Sequence, residues 1–167
     1  MDILRMIRHL ATPPWRVRRA FPPSTLTAIE NAIKHAEAGH NGELRFVVEG
    51  SLDPHALLHG QSPRQRAIDV FSLLRVWDTE PNNGVLIHVL LADHSVEIVA
   101  DRGVHARVGE GEWARICRAM EAAFREGTFE QGALLGIEAV GRCLVAEFPV
   151  PLHRPAHGEL PDAPVIL

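Results

Sequence analysis

Residues Val85 to Leu91 form an apolar run broken only by His88. A run of that length and composition reads as a strand covered on both faces, because a strand with one wet face would alternate polar and apolar residues. It therefore calls for at least three layers. Leu44 to Glu49, with Phe46, Val47 and Val48 bounded by glycines, reads as a second buried strand. Val96, Ile98 and Ala100, alternating with Glu97 and Val99 after the turn at Asp93-His94, read as a third that forms a hairpin with Val85–Leu91.

Helical periodicity fills the intervals. Leu26, Ile29, Ile33 and Ala36 share one face of a helix that Ser24 can cap. Ala67, Phe71 and Leu74, widened by Ile68 and Val70, form the stripe of a second helix starting near Ser62, with both sides expected to be buried. Trp113, Ile116, Cys117, Met120 and Phe124 mark a third helix. Ala133, Ile137, Val140, Leu144 and Phe148 mark a fourth, with Thr128 placed to cap it. The order helix, strand, helix, strand, strand, helix, helix predicts an α/β protein: a three-layer α/β/α sandwich with a small mixed sheet. A right-handed parallel crossover and an antiparallel hairpin make the sheet, and helices cover both faces.

The chain divides into a basic N-terminal arm (1–20), an α/β domain (21–148) and a Pro-rich extended tail (149–167). Within 167 residues the charge is polarised. The arm carries five arginines against Asp2, net +4, and the rest carries 12 basic and 20 acidic residues, net −8. An acidic body repels nucleic acid, so none is expected as a partner. Arg5, Arg8, Arg16, Arg18 and Arg19, interleaved with Ile3, Leu4, Met6, Ile7, Leu10 and Trp15, suit either packing on the chain's own domain or an anionic membrane surface. The arm lacks the apolar core and cleavage site of a signal peptide, and no apolar stretch approaches the roughly 20 residues of a membrane span. A cytoplasmic location, peripheral at the inner membrane, is the expectation.

Chemistry concentrates at one place. With Val85–Leu91 parallel to the first strand and antiparallel to the third, the loop Asp78–Gly84 meets the turn Asp101–Gly103 at one end of the sheet. Asp78, Glu80 and Asp101 supply carboxylates there, Asn82 and Asn83 carbonyl oxygens, and Arg102 a guanidinium fork. Oxygen ligands of this kind suit Ca2+, Mg2+ or Mn2+; the same residues also suit turn hydrogen bonds and a local ion pair, and no EF-hand spacing is present. Glu49, Asp53, His55, Asp93 and His94 collect at the opposite end as a weaker rival. His55 and His59 are spaced four apart without a third zinc ligand.

Other motifs carry less. Gly109-x-Gly111-x-x-Ala114 stands seven residues after a strand, with Glu110 and Glu112 at the helix start, where they would repel a pyrophosphate, so no nucleotide cofactor is expected. No serine stands in an activated-nucleophile motif. Cys117 and Cys143 fall on apolar helix faces as inert thiols.

Asn82-Asn83-Gly84-Val85-Leu86-Ile87 with its hairpin, Val96-Glu97-Ile98-Val99, and a last helix reached through Glu126-Gly127-Thr128-Phe129 resemble the TPM domain family, over about residues 24–148. That family includes thylakoid-lumen phosphatase-like and photosystem-repair-like proteins. The resemblance implies an α/β/α sandwich, with acid phosphatase activity and calcium binding in some members and auxiliary roles beside membrane complexes in others. It places the acidic cleft at Asn82, Asn83 and Gly84, facing Gly103. Asp101-Arg102-Gly103 stands where many members carry a Gly-x-Gly turn, and the chain looks like a short bacterial branch without signal peptide or anchor, whose members resemble products encoded beside a LemA-like membrane protein. Two functions are expected: a non-catalytic accessory domain at the membrane or beside a membrane protein, and a cation-dependent phosphatase. In the second, the ion's ligands are drawn from Asp78, Glu80, Asn82, Asn83 and Asp101, Asn82 or Asn83 orients water and Arg102 neutralises the phosphoryl oxygens, with Asp78, Asp101 and Arg102 as the catalytic set.

Overall fold

The computed structural model describes residues 2–80, 82–150 and 159–167. Pro81, and 151–158 in the middle of the expected tail, lie outside the described residues. Chain order is α1 (Ile3–Leu10), α2 (Pro14–Ala20), α3 (Pro23–Glu37), β1 (Glu43–Glu49), α4 (Pro54–Leu58), α5 (Pro63–Leu73), β2 (Gly84–Leu90), a 3-10 turn (Leu91–Asp93), β3 (Ser95–Ala100), α6 (Arg102–Val108), α7 (Glu110–Arg125), α8 (Phe129–Glu147) and β4 (Val165–Ile166). The sheet runs β3-β2-β1-β4. β1 and β2 are parallel, with Phe46 opposite Ile87, and β2 and β3 are antiparallel, with Ile87 opposite Ile98.

Strand alternation sorts the core into two layers of contact. Leu44, Phe46, Val48, Val85, Ile87, Val89, Val96 and Ile98 face Ile29 and Ile33 of α3, Trp113, Ile116 and Met120 of α7, and Ile137, Val140 and Leu144 of α8. Val47, Leu86 and Val99 face Ala67, Val70 and Phe71 of α5. The protein is thus a three-layer α/β/α sandwich. Each fully buried large side chain contributes about 1.5–3 kcal/mol, which makes the larger face the main source of stability. Phe21 leads α2 into that face. Its ring packs against Phe46, Phe124 and Phe129, with centroids 6.2, 6.0 and 5.6 Å away.

Several local expectations are corrected. The first domain helix starts at Pro23, whose ring fixes φ for the first turn, so Ser24 is exposed inside α3 and caps nothing. Thr128 stands at the N-cap of α8, but its hydroxyl donates back to Ala123 O at 2.9 Å. Ser62, in contrast, forms a full capping box with Gln65 at the start of α5. That helix buries one side only, and Ile68 is 45% exposed.

The last residues return to the sheet. Val165 and Ile166 pair in parallel with Val47 and Val48, and Leu167 N–H donates to Val48 O at 3.0 Å. Nothing in the Pro-rich composition of the tail signals a strand; the pairing exists because β1 otherwise presents an open edge.

Two glycines stand where a Cβ would force a neighbour to shift, a backbone carbonyl at Gly84 and the Met120 side chain at Gly136. A Cβ on Gly84 would stand 1.9 Å from Val76 O, and one on Gly136 would stand 2.2 Å from Met120 Sδ. The first lets the loop after α5 close on the start of β2; the second lets α8 seat against α7.

Candidate functional site

The loop before β2 and the turn after β3 meet as the topology requires, and Asp101 N–H donates to Gly84 O at 2.8 Å. The residues expected to form a cleft there have diverse roles. Asn83 is wholly buried. Its amide nitrogen donates to Asn41 O, its backbone N–H donates to Thr79 Oγ1 at 3.1 Å, and its carbonyl accepts from Glu43 N–H at 3.3 Å. It therefore stitches the loop to the start of β1. Asn82 supplies the left-handed residue of the turn, φ 52°. Asp78 is exposed, and its N–H closes a turn onto Arg75 O at 2.9 Å. Glu80 is exposed as well, and its N–H donates to the Glu159 carboxylate at 3.1 Å.

Asp101 is the N-cap of α6, with Oδ1 accepting from Arg102 N–H at 2.6 Å. Its Oδ2 is buried and, like Asn83 Oδ1, without a hydrogen-bond partner among the described residues. Arg102 is exposed and makes no ion pair with Asp101. Among the described residues no group of three or more His, Cys, Asp or Glu is arranged to hold a metal ion.

Beside this edge lies a buried acidic group that the sequence reading missed. Glu43 and Arg45 of β1 are buried, and Leu160 N–H donates to Glu43 Oε2 at 3.0 Å. Glu37, at the end of α3, accepts from Leu44 N–H at 2.8 Å. Burial pushes its carboxyl up to about 8; the Leu44 bond opposes the shift, and the nearby Glu43 and Asp162 add to it. Glu43 is raised by burial too, and Arg45 is lowered by it. His40, buried, accepts from Gly42 N–H at 3.0 Å through Nδ1, and burial pulls it down to about 4. The signal was the alternation Glu43, Arg45, Val47, Glu49: a buried strand with charges on one side needs partners on the covering layer.

The opposite end of the sheet holds two ionic clusters. Glu49 accepts from Arg66 Nε at 2.8 Å and stands 3.0 Å from His88 Nε2, with both Glu49 and His88 buried under α5. Burial raises the Glu49 carboxyl, but the bonds from His88 and Arg66 outweigh it and leave it low. The second cluster holds the arm. Asp93 accepts from Arg5 Nη2 at 2.7 Å and Nε at 3.0 Å, and His9 Nε2 stands 3.1 Å from its Oδ1 at ion-pair distance, without hydrogen-bond alignment. His9 Nδ1 accepts from Leu52 N–H at 3.0 Å. Arg5, grouped with the lipid-facing arginines on sequence, is consumed here.

The remaining residues of that end are local. Asp53 caps α4 by accepting from Ala56 N–H at 2.9 Å, and His94 supplies the left-handed turn residue, φ 53°. The His55 and His59 rings pack together tilted by 34°, centroids 4.1 Å apart, and His59 Nδ1 stands 2.8 Å from His55 O, which occupies it within the turn. Cys117 is pushed up to about 12 and Cys143 is raised, both chiefly by burial, so neither forms a thiolate at neutral pH.

The arm is packed inside out. Arg5 and His9 turn the polar side of α1 to the domain, while Ile3, Leu4, Ile7 and Leu10 are 63%, 74%, 55% and 69% exposed, and Trp15 of α2 is 56% exposed. A surface helix ordinarily does the opposite. No helix among the described residues is long and apolar enough to cross a membrane.

A small mixed sheet between one helix and three, with an asparagine-glycine turn opening its central strand, defines a class of α/β sandwich. The chain belongs to the TPM domain family, whose sequence profile matches residues 18–143. That span leaves α1, most of α2 and β4 outside the match. Among solved structures, the chain is similar to the BA42 protein from the psychrophilic bacterium Bizionia argentinensis. Identity is 31%, the match covers 86% of this chain and 92% of that one, and the TM-score is 0.72. It shares the fold of the N-terminal domain of a protein from P. gingivalis, at 19% identity over 78% of this chain and 82% of that one, TM-score 0.60. No curated protein matches it in sequence.

Proposed function

We propose that this TPM domain is a non-catalytic accessory module that sits on an anionic membrane surface at the cytoplasmic side, through its N-terminal arm. The observation that supports this reading is the inverted α1: its polar side is spent on Asp93 and Leu52, and its apolar side is left to solvent beside Arg8, Arg16, Arg18 and Arg19. Apolar side chains seated at the acyl boundary, flanked by arginines at the headgroups and a Trp at the interface, are how amphipathic helices bind lipid. Each arginine near an anionic surface contributes about 1 kcal/mol, so the interaction is expected to weaken with salt. A LemA-like membrane protein, implied by the family resemblance, is the neighbour such a position would serve.

The test is co-sedimentation of the full chain with vesicles of phosphatidylglycerol and phosphatidylcholine, beside the exposed-residue variant Ile7→Glu/Leu10→Glu. Binding to the anionic vesicles that the variant loses would support the reading. Absence of binding, or binding indifferent to the variant, would overturn it.

A second reading is favoured by one observation, the partnerless buried oxygens Asp101 Oδ2 and Asn83 Oδ1. It is a phosphatase dependent on Ca2+, Mg2+ or Mn2+, using Asp78, Glu80, Asn82, Asn83 and Asp101 for the ion and Arg102 for the phosphoryl oxygens. Calorimetric titration of the three ions against wild type and Asp101→Ala decides it: heat lost in the variant supports the site, and no heat from any ion removes it.

A further inference from the structure

A groove of about 660 Å³ runs between the arm and the body, away from the acidic loop edge and bordered by Ile7 at the exposed apolar side of α1. Its apolar lining comes from six separate elements: Ile7 of α1, Trp15 of α2, Val89 of β2, Leu91 of the 3-10 turn, Phe124 of α7 and Phe129 of α8. The volume lies within the roughly 300–1,000 Å³ of small-molecule pockets, whose walls are mostly apolar with a few placed polar groups.

The charged groups here are mostly of one sign. Arg8, Arg16, Arg19 and Arg125 line the same groove. Arg8 has only a distant approach to Asp93, 3.9 Å, and Arg16, Arg19 and Arg125 are in no ion pair among the described residues. Among the described residues the one carboxylate in the lining, Glu121, accepts from Val96 N–H at 2.9 Å through Oε1. Four cations around an apolar trough whose described carboxylate is already bonded favour an occupant that brings both an apolar body and a negative end.

We propose that this groove is a binding site for a single-chain anionic amphiphile, a fatty acid carboxylate being the simplest. Its chain lies along Val89, Leu91, Phe124 and Phe129, and its head accepts from the guanidinium groups of Arg16, Arg19 and Arg125. The planar fork of arginine is suited to a carboxylate or phosphate head, and guanidinium groups at a groove mouth keep their hydration while they bind it. Occupancy would also bear on the arm, since Ile7 and Trp15 supply one wall: a bound chain bridges α1 and α2 to the α7–α8 turn. The site shares Ile7, Trp15, Arg8, Arg16 and Arg19 with the surface proposed to meet the membrane, and the two are told apart because this one takes a dispersed molecule and its detection needs no vesicle.

The experiment is calorimetric titration of the full chain with sodium dodecanoate below its micelle concentration. Dodecanol at its solubility limit serves as the uncharged control, and the variants Arg16→Ala/Arg19→Ala and Ala11→Trp are run in parallel. Residues 11, 16 and 19 are exposed and outside the core, so both variants keep the fold, which circular dichroism verifies. The arginine pair should weaken dodecanoate binding by about tenfold or more, as expected for lost charge-assisted hydrogen bonds, and the binding should weaken with salt. An indole at position 11, in the lining of the groove, should block it. Failure of dodecanoate to bind overturns the proposal, as does binding that both variants leave unchanged or that dodecanol matches. Vesicle binding that persists while dodecanoate fails to bind would refute this site and leave the membrane reading standing.

Discussion

Asp93→Ala should free the arm while leaving the domain folded. The Asp93 side chain is 7% exposed and that of Arg5 17%, so the two charges are largely withdrawn from water. Removing one member of such a pair costs about 3–5 kcal/mol, because the other charge is left unpaired, and the partial exposure of Arg5 places the cost near the lower end. The helix can avoid that penalty by undocking, since among the described residues its remaining hydrogen bond to the body is the His9–Leu52 bond at 3.0 Å and its apolar side is largely exposed. A loss of about 3 kcal/mol in docking free energy raises the opening equilibrium about 100-fold. Hydrogen exchange should therefore show the amides of residues 6–11 exchanging about 100-fold faster, with β1 and β2 amides unaffected and the global denaturation midpoint little changed. Wild-type exchange rates in α1 would refute the clamp. An equal fall in global stability would refute the separability of the arm.

Gly84→Ala places a Cβ 1.9 Å from Val76 O, so the loop after α5 must shift; overpacking of this kind costs about 1–3 kcal/mol or more, read as a lower urea midpoint. Ile137→Ala, at a wholly buried position of α8, should cost about 2–5 kcal/mol by the same measurement, and a loss under about 1 kcal/mol would mean that the larger core face relaxes around the cavity. Glu37 has a folded pKa raised to about 8 from an ordinary 4.5, so its native state holds a proton that the unfolded chain has lost. Its contribution to stability is full below about 4.5 and falls as pH rises to about 8; Glu37→Gln should flatten the wild-type decline in melting temperature across that window. Asp93 is the reverse case. Burial raises it, but Arg5 and His9 outweigh burial and hold it below its ordinary 3.8, so the arm should stay docked at neutral pH and loosen as pH falls below about 4. Tryptophan emission from Trp15 during acid titration reads that release.

The layer order and the pairing of β1, β2 and β3 were legible because apolar periodicity is a property of consecutive residues. Val85–Leu91 has no wet face, and that alone requires helices on both sides. The meeting of the 78–84 and 101–103 loops followed from topology, and the structure keeps it in the Asp101–Gly84 bond. What those loops do was not legible. Whether a carboxylate holds an ion, caps a helix or turns a corner depends on the direction of its side chain, which spacing leaves open; Asn83 went inward and Asp78 outward although only four residues separate them.

Sequence by itself determined the sandwich, the inert cysteines and the amphipathic composition of the arm, since each rests on burial preferences that local pattern carries. Tertiary structure alone decided that Arg5 and His9 turn the arm inside out on Asp93, that Glu37 meets Glu43 and Asp162, and that Val165–Ile166 closes beside β1. Those contacts join residues 88, 6 and 125, and 118 positions apart, respectively, and their energies arise from charges and strand edges that become neighbours only after the chain has folded.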